Sequence, residues 1–169
     1  MCGILGMFGG TDDQVKHFPS VLATLRHRGP DHQGTWRNGN SLLGHQRLSI
    51  MDVDGGHQPF QCPQTRRALI CNGEVYNHAV LKRKFPAYPF RTGSDSEVIL
   101  PLYADRGDGA AGELDGMFSL LIAEGPGCFA ARDPIGIKPL YYGTAHGIAD
   151  GSTGGTGGDA LLFASELKA

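Results

Sequence analysis

Apolar residues in this chain come in short bursts, each closed off by glycine, proline or asparagine, and that punctuation excludes most architectures. Residues 3–8 form an apolar run ended by Gly9-Gly10, long enough for a buried strand and too short for a free-standing helix. Residues 34–37 and 41–47 flank Asn38-Gly39, a strong signal for a two-residue hairpin turn. Further strand-like runs cover 67–71, 117–123, 128–131, 140–142 and 161–164. The pattern predicts about nine short strands, with two or three helices inserted between groups of them. Strands in hairpins with helices between the groups predict an α+β fold: two stacked antiparallel sheets with helices on their outer faces.

The helices are marked less evenly. Val15, Phe18, Val21, Leu22 and Leu25 recur at helical spacing within 12–28. Pro19 interrupts them, so the helix is expected to start near Pro19 or Ser20, where proline is tolerated, and to end at Gly29-Pro30. Asn77 is placed to cap a helix over 78–85. Ser94-Asp95-Ser96-Glu97 has the form of a capping box. Val98, Ile99, Leu102 and Tyr103 follow at helical spacing, with a kink expected at Pro101. Residues 112–114 predict a helical turn and 52–65 a loop. Glycine, at 26 residues, clusters in 143–159. That segment reads as a flexible hairpin connection, an insertion without catalytic role, and it lacks the lysine signature of a phosphate-binding loop.

A length of 169 residues fits one domain. The net charge of −2 supplies no basic field for nucleic acid or an anionic membrane surface. No apolar run approaches the roughly 20 residues that span a bilayer, and no basic stretch followed by an apolar run marks a secretory signal. A cytoplasmic location with reduced thiols is therefore expected. The four cysteines, Cys2, Cys62, Cys71 and Cys128, include no C-x-x-C pair, so neither a zinc nor a redox motif is predicted and no metal site is expected. Cys71 and Cys128 stand in apolar surroundings and are expected in the core.

Cys2 is different. It lies behind Met1 and ahead of Gly3, and an initiator methionine is removed when the next residue is small. The mature chain would then carry a thiol and an α-amine on one residue. An α-amine titrates at about 7.7–8.0, close enough to neutrality to take the thiol proton, so nucleophile and base would sit together. Polar residues at strand ends and turns could complete such a site. Asn72 offers an amide N–H₂ and Gly73 an unshielded backbone N–H to an oxyanion. Arg47 offers a planar fork to a carboxylate, and Glu74 or Asp95 a carboxylate to an ammonium. Each alone has an ordinary structural role, as surface charge, turn or helix-start carboxylate. Together they would suffice for hydrolysing the side-chain amide of glutamine.

The motifs carry a resemblance. Met1-Cys2-Gly3-Ile4 resembles the start of the class II glutamine amidotransferases, which are N-terminal-nucleophile hydrolases. Arg26-His27-Arg28-Gly29-Pro30-Asp31, His45-Gln46-Arg47-Leu48-Ser49-Ile50, Asn72-Gly73-Glu74-Val75-Tyr76-Asn77, Gly93-Ser94-Asp95-Ser96-Glu97 and Arg132-Asp133-Pro134-Ile135-Gly136-Ile137-Lys138-Pro139-Leu140 follow in order. This series resembles the glutaminase domain of glutamine-hydrolysing asparagine synthetases and covers nearly the whole chain.

The resemblance implies a four-layer αββα sandwich over residues 1–169, with Cys2 as nucleophile, its α-amine as base, and Asn72 and Gly73 as the oxyanion hole. It implies that Arg47, Glu74 and Asp95 hold the head group of L-glutamine, helped by backbone of Leu48 and Ile50. Ammonia would leave beside a thioester and travel through a tunnel to a synthetase domain that activates aspartate with ATP and magnesium. That domain is absent from this chain, so no cofactor is expected here; the partners implied are L-glutamine and the synthetase domain, and a homodimer is allowed. Arg26, His27 and Arg28 are expected to brace the sandwich, and residues 133–138 to face the partner domain. Two other readings stay open: a glutaminase-like module kept for docking or glutamine sensing, and an ammonia donor to a related synthetase with another acceptor.

Overall fold

Side-chain alternation decides what each strand buries. Along β1 (Gly3–Phe8), Leu5 and Met7 join one apolar cluster and Ile4 and Phe8 another, and every residue is buried. A strand buried on both faces must lie between two layers. A computed structural model, which describes residues 1–62, 64–145 and 159–169, shows those layers. After β1 come α1 (Asp12–Ala23), β2 (His32–Asn38), β3 (Ser41–Arg47), β4 (Phe60–Gln61), β5 (Ala68–Val75), α2 (His78–Lys84) and α3 (Ile99–Arg106), then β6 (Gly116–Glu124), β7 (Gly127–Arg132), β8 (Tyr141–Ala145) and β9 (Ala160–Ala164). One antiparallel sheet has the order β2-β3-β1-β9-β8 and the other β4-β5-β6-β7.

Three apolar clusters hold the layers together. Ile4, Phe8 and Leu43 of the first sheet meet Ala68, Ile70 and Leu121 of the second in the central cluster. On the outer face of the first sheet, Leu5, Met7 and Leu42 pack against Val15, Phe18, Leu22 and Leu25. On the outer face of the second, Leu69, Cys71 and Leu120 pack against Leu81, Ile99 and Leu102. The architecture is the four-layer αββα sandwich expected. Packing is close: a Cβ on Gly44 would lie 2.8 Å from Leu22 of α1, and one on Gly6 would lie 2.6 Å from Leu121 of the facing sheet.

Several local expectations need correction. α1 starts at Asp12, not near Pro19, because Thr11 and Gln14 form a reciprocal capping box. Pro19 sits on its exposed side, where the missing N–H is tolerated. The Ser94 capping box does not form; Glu97 instead accepts the N–H groups of Arg91 and Thr92, ahead of a 3₁₀ turn over Ser96–Val98. α3 begins only at Ile99, so Pro101 falls in its first turn, where no kink is required. Asn77 is the N-cap residue of α2, as expected, but its side chain makes no capping bond and instead holds the backbone of Glu113 and Asp115. The turn predicted at 112–114 is the end of a longer 3₁₀ stretch, Gly107–Glu113. The loop predicted over 52–65 contains β4. Cys128 is half-buried at the rim of the central cluster, whereas Cys71 is fully buried. β8 and β9 pair up to Ala145 and Ala160, so the glycine-rich segment does join two paired strands; residues 146–158 of it lie outside the described residues.

Candidate active site

The inward face of the sandwich changes character at one end. Just ahead of β1, two residues before Ile4, stands Cys2. On β3, Leu43 gives way to His45 and Arg47; on β5, Ile70 gives way to Asn72 and Glu74; on β6, Leu121 is preceded by Ser119. Strand pairing brings these substitutions level, since Gly3 pairs with Gln46 and Asn72 with Ser119. The same period of two that builds the apolar core thus delivers polar groups to a single cleft. A cavity of about 90 Å³ opens there, and its wall includes Cys2, Arg47, Asn72, Gly73, Asp95 and Lys138. A larger apolar groove of about 420 Å³, between α1 and the β8–β9 edge, contains no cysteine and none of the predicted site residues.

Cys2 is gripped through its backbone and its sulfur. Its carbonyl accepts from Arg28 Nε at 2.9 Å, and the next strand residue but one, Ile4, bonds Ser165 through both its N–H and its carbonyl. The Leu48 N–H donates to Sγ at 3.4 Å, and Sγ lies 3.7 Å from the Leu48 carbonyl. Burial pushes the thiol pKa up. The Leu48 N–H, the amine of Met1, Arg47 and Lys138 pull it in the opposite direction.

Arg47 is almost completely buried. Its terminal nitrogens donate to the carbonyls of Met51, Asp52 and Val53 at 2.7 to 2.9 Å. Both arms of the fork are therefore engaged by backbone, which corrects the expectation of an open bidentate fork. The guanidinium brings its charge to the cavity and folds residues 51–57 over it. Close contact makes this fit tight: a Cβ on Gly56 would lie 2.6 Å from the Arg47 guanidinium. The Asp52 carboxylate extends the arrangement by accepting the N–H groups of Gly55 and Gly93.

Asn72 and Gly73 are not in a turn. β5 runs straight through them to Val75, because β6 pairs with it along its whole length. A Cβ at Gly73 would lie 2.1 Å from the Met117 carbonyl oxygen and 2.6 Å from Phe118 Cα; the glycine is demanded by strand packing. Alternation of the antiparallel ladder sets where its N–H points. Phe118, opposite Gly73, uses its own N–H and carbonyl on Asp133 at the β7 side. The Gly73 N–H therefore faces the other edge of β5. Its neighbours on that edge are capped by side chains: Cys71 N–H by Gln58 at 2.6 Å and Val75 N–H by Asp95 at 2.6 Å. The Asn72 side-chain nitrogen is buried with no hydrogen-bond partner among the described residues. An orphaned buried amide costs about 1–3 kcal/mol, and a ligand acceptor in the cavity would relieve it.

Asp95 is buried, with one oxygen on the Val75 N–H and the other on the hydroxyls of Ser94 and Ser96. Glu74 and Leu48 line the same cavity, as does Ile50, whose side chain is largely exposed. All the residues singled out from the sequence are thus brought to one cleft. Two further members of its wall, Gln58 and Lys138, were not, nor was His45, which lies fully buried behind it. His45 and Gln58 each reach the Cys71 carbonyl, at 3.2 and 3.1 Å. The only sequence signal for them was a polar residue at an inward strand position or beside it. Lys138 belongs to a segment expected to face a partner domain, yet it is buried in the cavity wall.

Comparison with known proteins agrees with this layout. The glutamine amidotransferase domain family matches residues 1–169. Asparagine synthetase (glutamine-hydrolyzing) of Asparagus officinalis is 45% identical over 148 residues, covering 85% of this chain and 25% of that protein. Asparagine synthetase B (glutamine-hydrolyzing) of Escherichia coli K12 is 40% identical over 176 residues, covering 100% of this chain and 30% of the relative. This chain therefore spans between a quarter and three-tenths of the length of these relatives. Glutamine phosphoribosylpyrophosphate amidotransferase of B. subtilis, solved with ADP and GMP, superposes with a TM-score of 0.71 at 22% identity, covering 98% of this chain and 42% of that one; at that identity the likeness concerns the fold. Matched from Met1 to Ala169, and built as the αββα sandwich that this solved structure shares, the chain belongs to the glutamine amidotransferase domain family.

Proposed function

We propose that residues 1–169 form a glutaminase unit that hydrolyses L-glutamine to glutamate and ammonia. With Met1 removed, the Cys2 α-amine takes the thiol proton, and the sulfur attacks the side-chain carboxamide carbon. The carbonyl oxygen becomes an oxyanion held by Asn72 Nδ2 and the Gly73 N–H. The α-ammonium returns its proton to the amide nitrogen, the C–N bond breaks, and ammonia leaves a thioester on Sγ. Water, deprotonated by the same amine, cleaves the thioester to glutamate and regenerates the thiol. Asp95 and Glu74 receive the substrate ammonium, the Arg47 charge attracts its carboxylate, and the backbone of Leu48 and Ile50 completes the rim.

The observation that carries this reading is the unpartnered Asn72 amide nitrogen, buried in the same cavity wall as Cys2 and next to the edge-facing Gly73 N–H. Donors placed before the charge arrives are what stabilises an oxyanion. The lengths of the relatives support a second region in the full protein, to which ammonia passes for ATP-dependent synthesis of asparagine from aspartate. That region would supply the ATP and magnesium sites.

Protein shown by N-terminal mass spectrometry to begin at Cys2 is expected to convert glutamine to glutamate, and Cys2→Ala to bind glutamine without turnover. Absence of glutamate from the Met-free protein, beside a working glutaminase control, overturns the reading in favour of a docking or sensing module.

A further inference from the structure

The connection between β7 and β8 carries a cation into the cavity. Lys138 is only 8% exposed and lines the same wall as Cys2. Its backbone is fixed on both sides: the N–H donates to Asp133 Oδ2 at 3.0 Å, and the carbonyl accepts from Arg132 Nε at 2.6 Å. The Ile137 N–H donates to the other Asp133 oxygen at 2.8 Å. Asp133 is itself buried and tied to Phe118 of β6. The turn is thus a rigid bracket, and its product is the placement of one ammonium group.

Among the described residues, no hydrogen bond or ion pair holds that ammonium. An ammonium that opens only onto the cavity and is held by no protein acceptor is placed for an anion that arises there during function. The ionisable groups around the Cys2 thiol are Arg47 from β3, Cys71 and Glu74 from β5, Asp95, Lys138 and the amine of Met1. Asp95 already accepts three hydrogen bonds. Burial holds the Cys71 thiol neutral, with its pKa pushed up to about 12. Arg47 has both terminal nitrogens on backbone carbonyls. The Cys2 sulfur, by contrast, receives a single backbone N–H at 3.4 Å.

We propose that Lys138 is the counter-ion of the Cys2 thiolate, a positioning residue that holds the nucleophile's negative charge in the cleft. The inference rests on Cys2 being the nucleophile of the glutaminase reaction. The Lys138 charge acts to lower the Cys2 pKa against the upward push of burial, in keeping with that placement.

The test uses Met-free protein and the variants Lys138→Met and Lys138→Arg. Iodoacetamide alkylation of Cys2, read by mass on the N-terminal peptide, is followed across a pH series. Glutamine kcat and KM are measured in parallel, and circular dichroism checks folding. Lys138→Met is expected to move the alkylation midpoint up by about one pH unit, which slows alkylation near neutrality roughly tenfold. It is expected to lower kcat by a similar factor with KM nearly unchanged, and Lys138→Arg to restore both. A midpoint in Lys138→Met equal to wild type overturns the proposal. So does a raised KM with an unmoved midpoint, which would assign Lys138 to the substrate carboxylate. Should Lys138→Met fail to fold, Lys138→Gln supplies the same titration. Alkylation needs no glutamine turnover, so wild-type protein inert towards glutamine would defeat the glutaminase reading while the midpoint still reported on Lys138.

Discussion

Arg28 holds the carbonyl of Cys2 at 2.9 Å with Nε and the carboxylate of Glu166 at 2.9 Å with a terminal nitrogen. One planar group therefore ties the candidate nucleophile to the residue just beyond β9. Lysine cannot reach both acceptors in that geometry. Arg28→Lys is expected to lower kcat about tenfold with a smaller change in KM, measured by glutamate release. Glu166 gives the link a pH signature. Its pKa is held at about 2, chiefly by the Arg28 bond, with His27 and Lys168 assisting. A depressed carboxylate stabilises the fold above its unfolded pKa, and that contribution is lost as pH falls from about 4.3 toward 2. Glu166→Gln is expected to flatten the fall of the urea midpoint across that window.

Asn72 separates activity from stability. Asn72→Leu removes an oxyanion donor and is expected to lower kcat by about 10²-fold or more. It also removes a buried amide nitrogen with no partner, so the fold is expected to hold its thermal midpoint or gain a little. Calorimetry beside a glutamine assay reads both. A fall in midpoint as large as that of an ordinary core truncation would contradict this account of the amide.

Arg47 has three backbone carbonyls to hold. An ammonium offers three hydrogens from one point and cannot span that arc. Arg47→Lys is expected to loosen residues 51–57 and to raise KM for glutamine by about tenfold. Faster cleavage of that segment in limited proteolysis, together with the KM change, checks it. A raised KM without faster cleavage would place the whole effect on the carboxylate.

His45 is wholly buried against the Cys71 carbonyl, and burial lowers its pKa to about 3. Because the folded pKa lies below the unfolded value of about 6.5, the unfolded chain binds the extra proton between those limits. Stability is therefore expected to be full above pH 6.5 and to decline as pH falls toward 3. His45→Gln is expected to remove that part of the slope, seen in urea denaturation at stepped pH, provided the glutamine amide bonds the same carbonyl.

Much of the fold was legible because strand faces and turn residues are local signals. Asn38-Gly39 marked the β2–β3 hairpin, although Asn38 still pairs with Ser41 and the turn itself is Gly39-Asn40, and the short apolar runs of β1, β5 and β6 marked buried strands. The site was legible where motif residues coincided with inward positions. What escaped depended on partners far along the chain. Asn72-Gly73 has the composition of a turn, yet β6 lies beside it and holds it extended. Glu97 is spaced to cap Ser94 but finds the Arg91 and Thr92 N–H groups. Thr11 and Gln14 did carry the true start of α1, overshadowed by Pro19. Lys138 was invisible as a site residue because its approach to Cys2 follows from the path between the two sheets, which no local pattern encodes.

The polar end of the sandwich has a consequence for how this domain tolerates change. Adding or deleting one residue within β3 or β5 would exchange the two faces of the strand beyond that point. Arg47 or Asn72 would then turn toward the helices, and a chain neighbour would take its place: Gln46 or Cys71 after an addition, Leu48 or Gly73 after a deletion. Length variation is confined by this to the connections, and insertion scanning would map the chemistry as sharply as point mutation does.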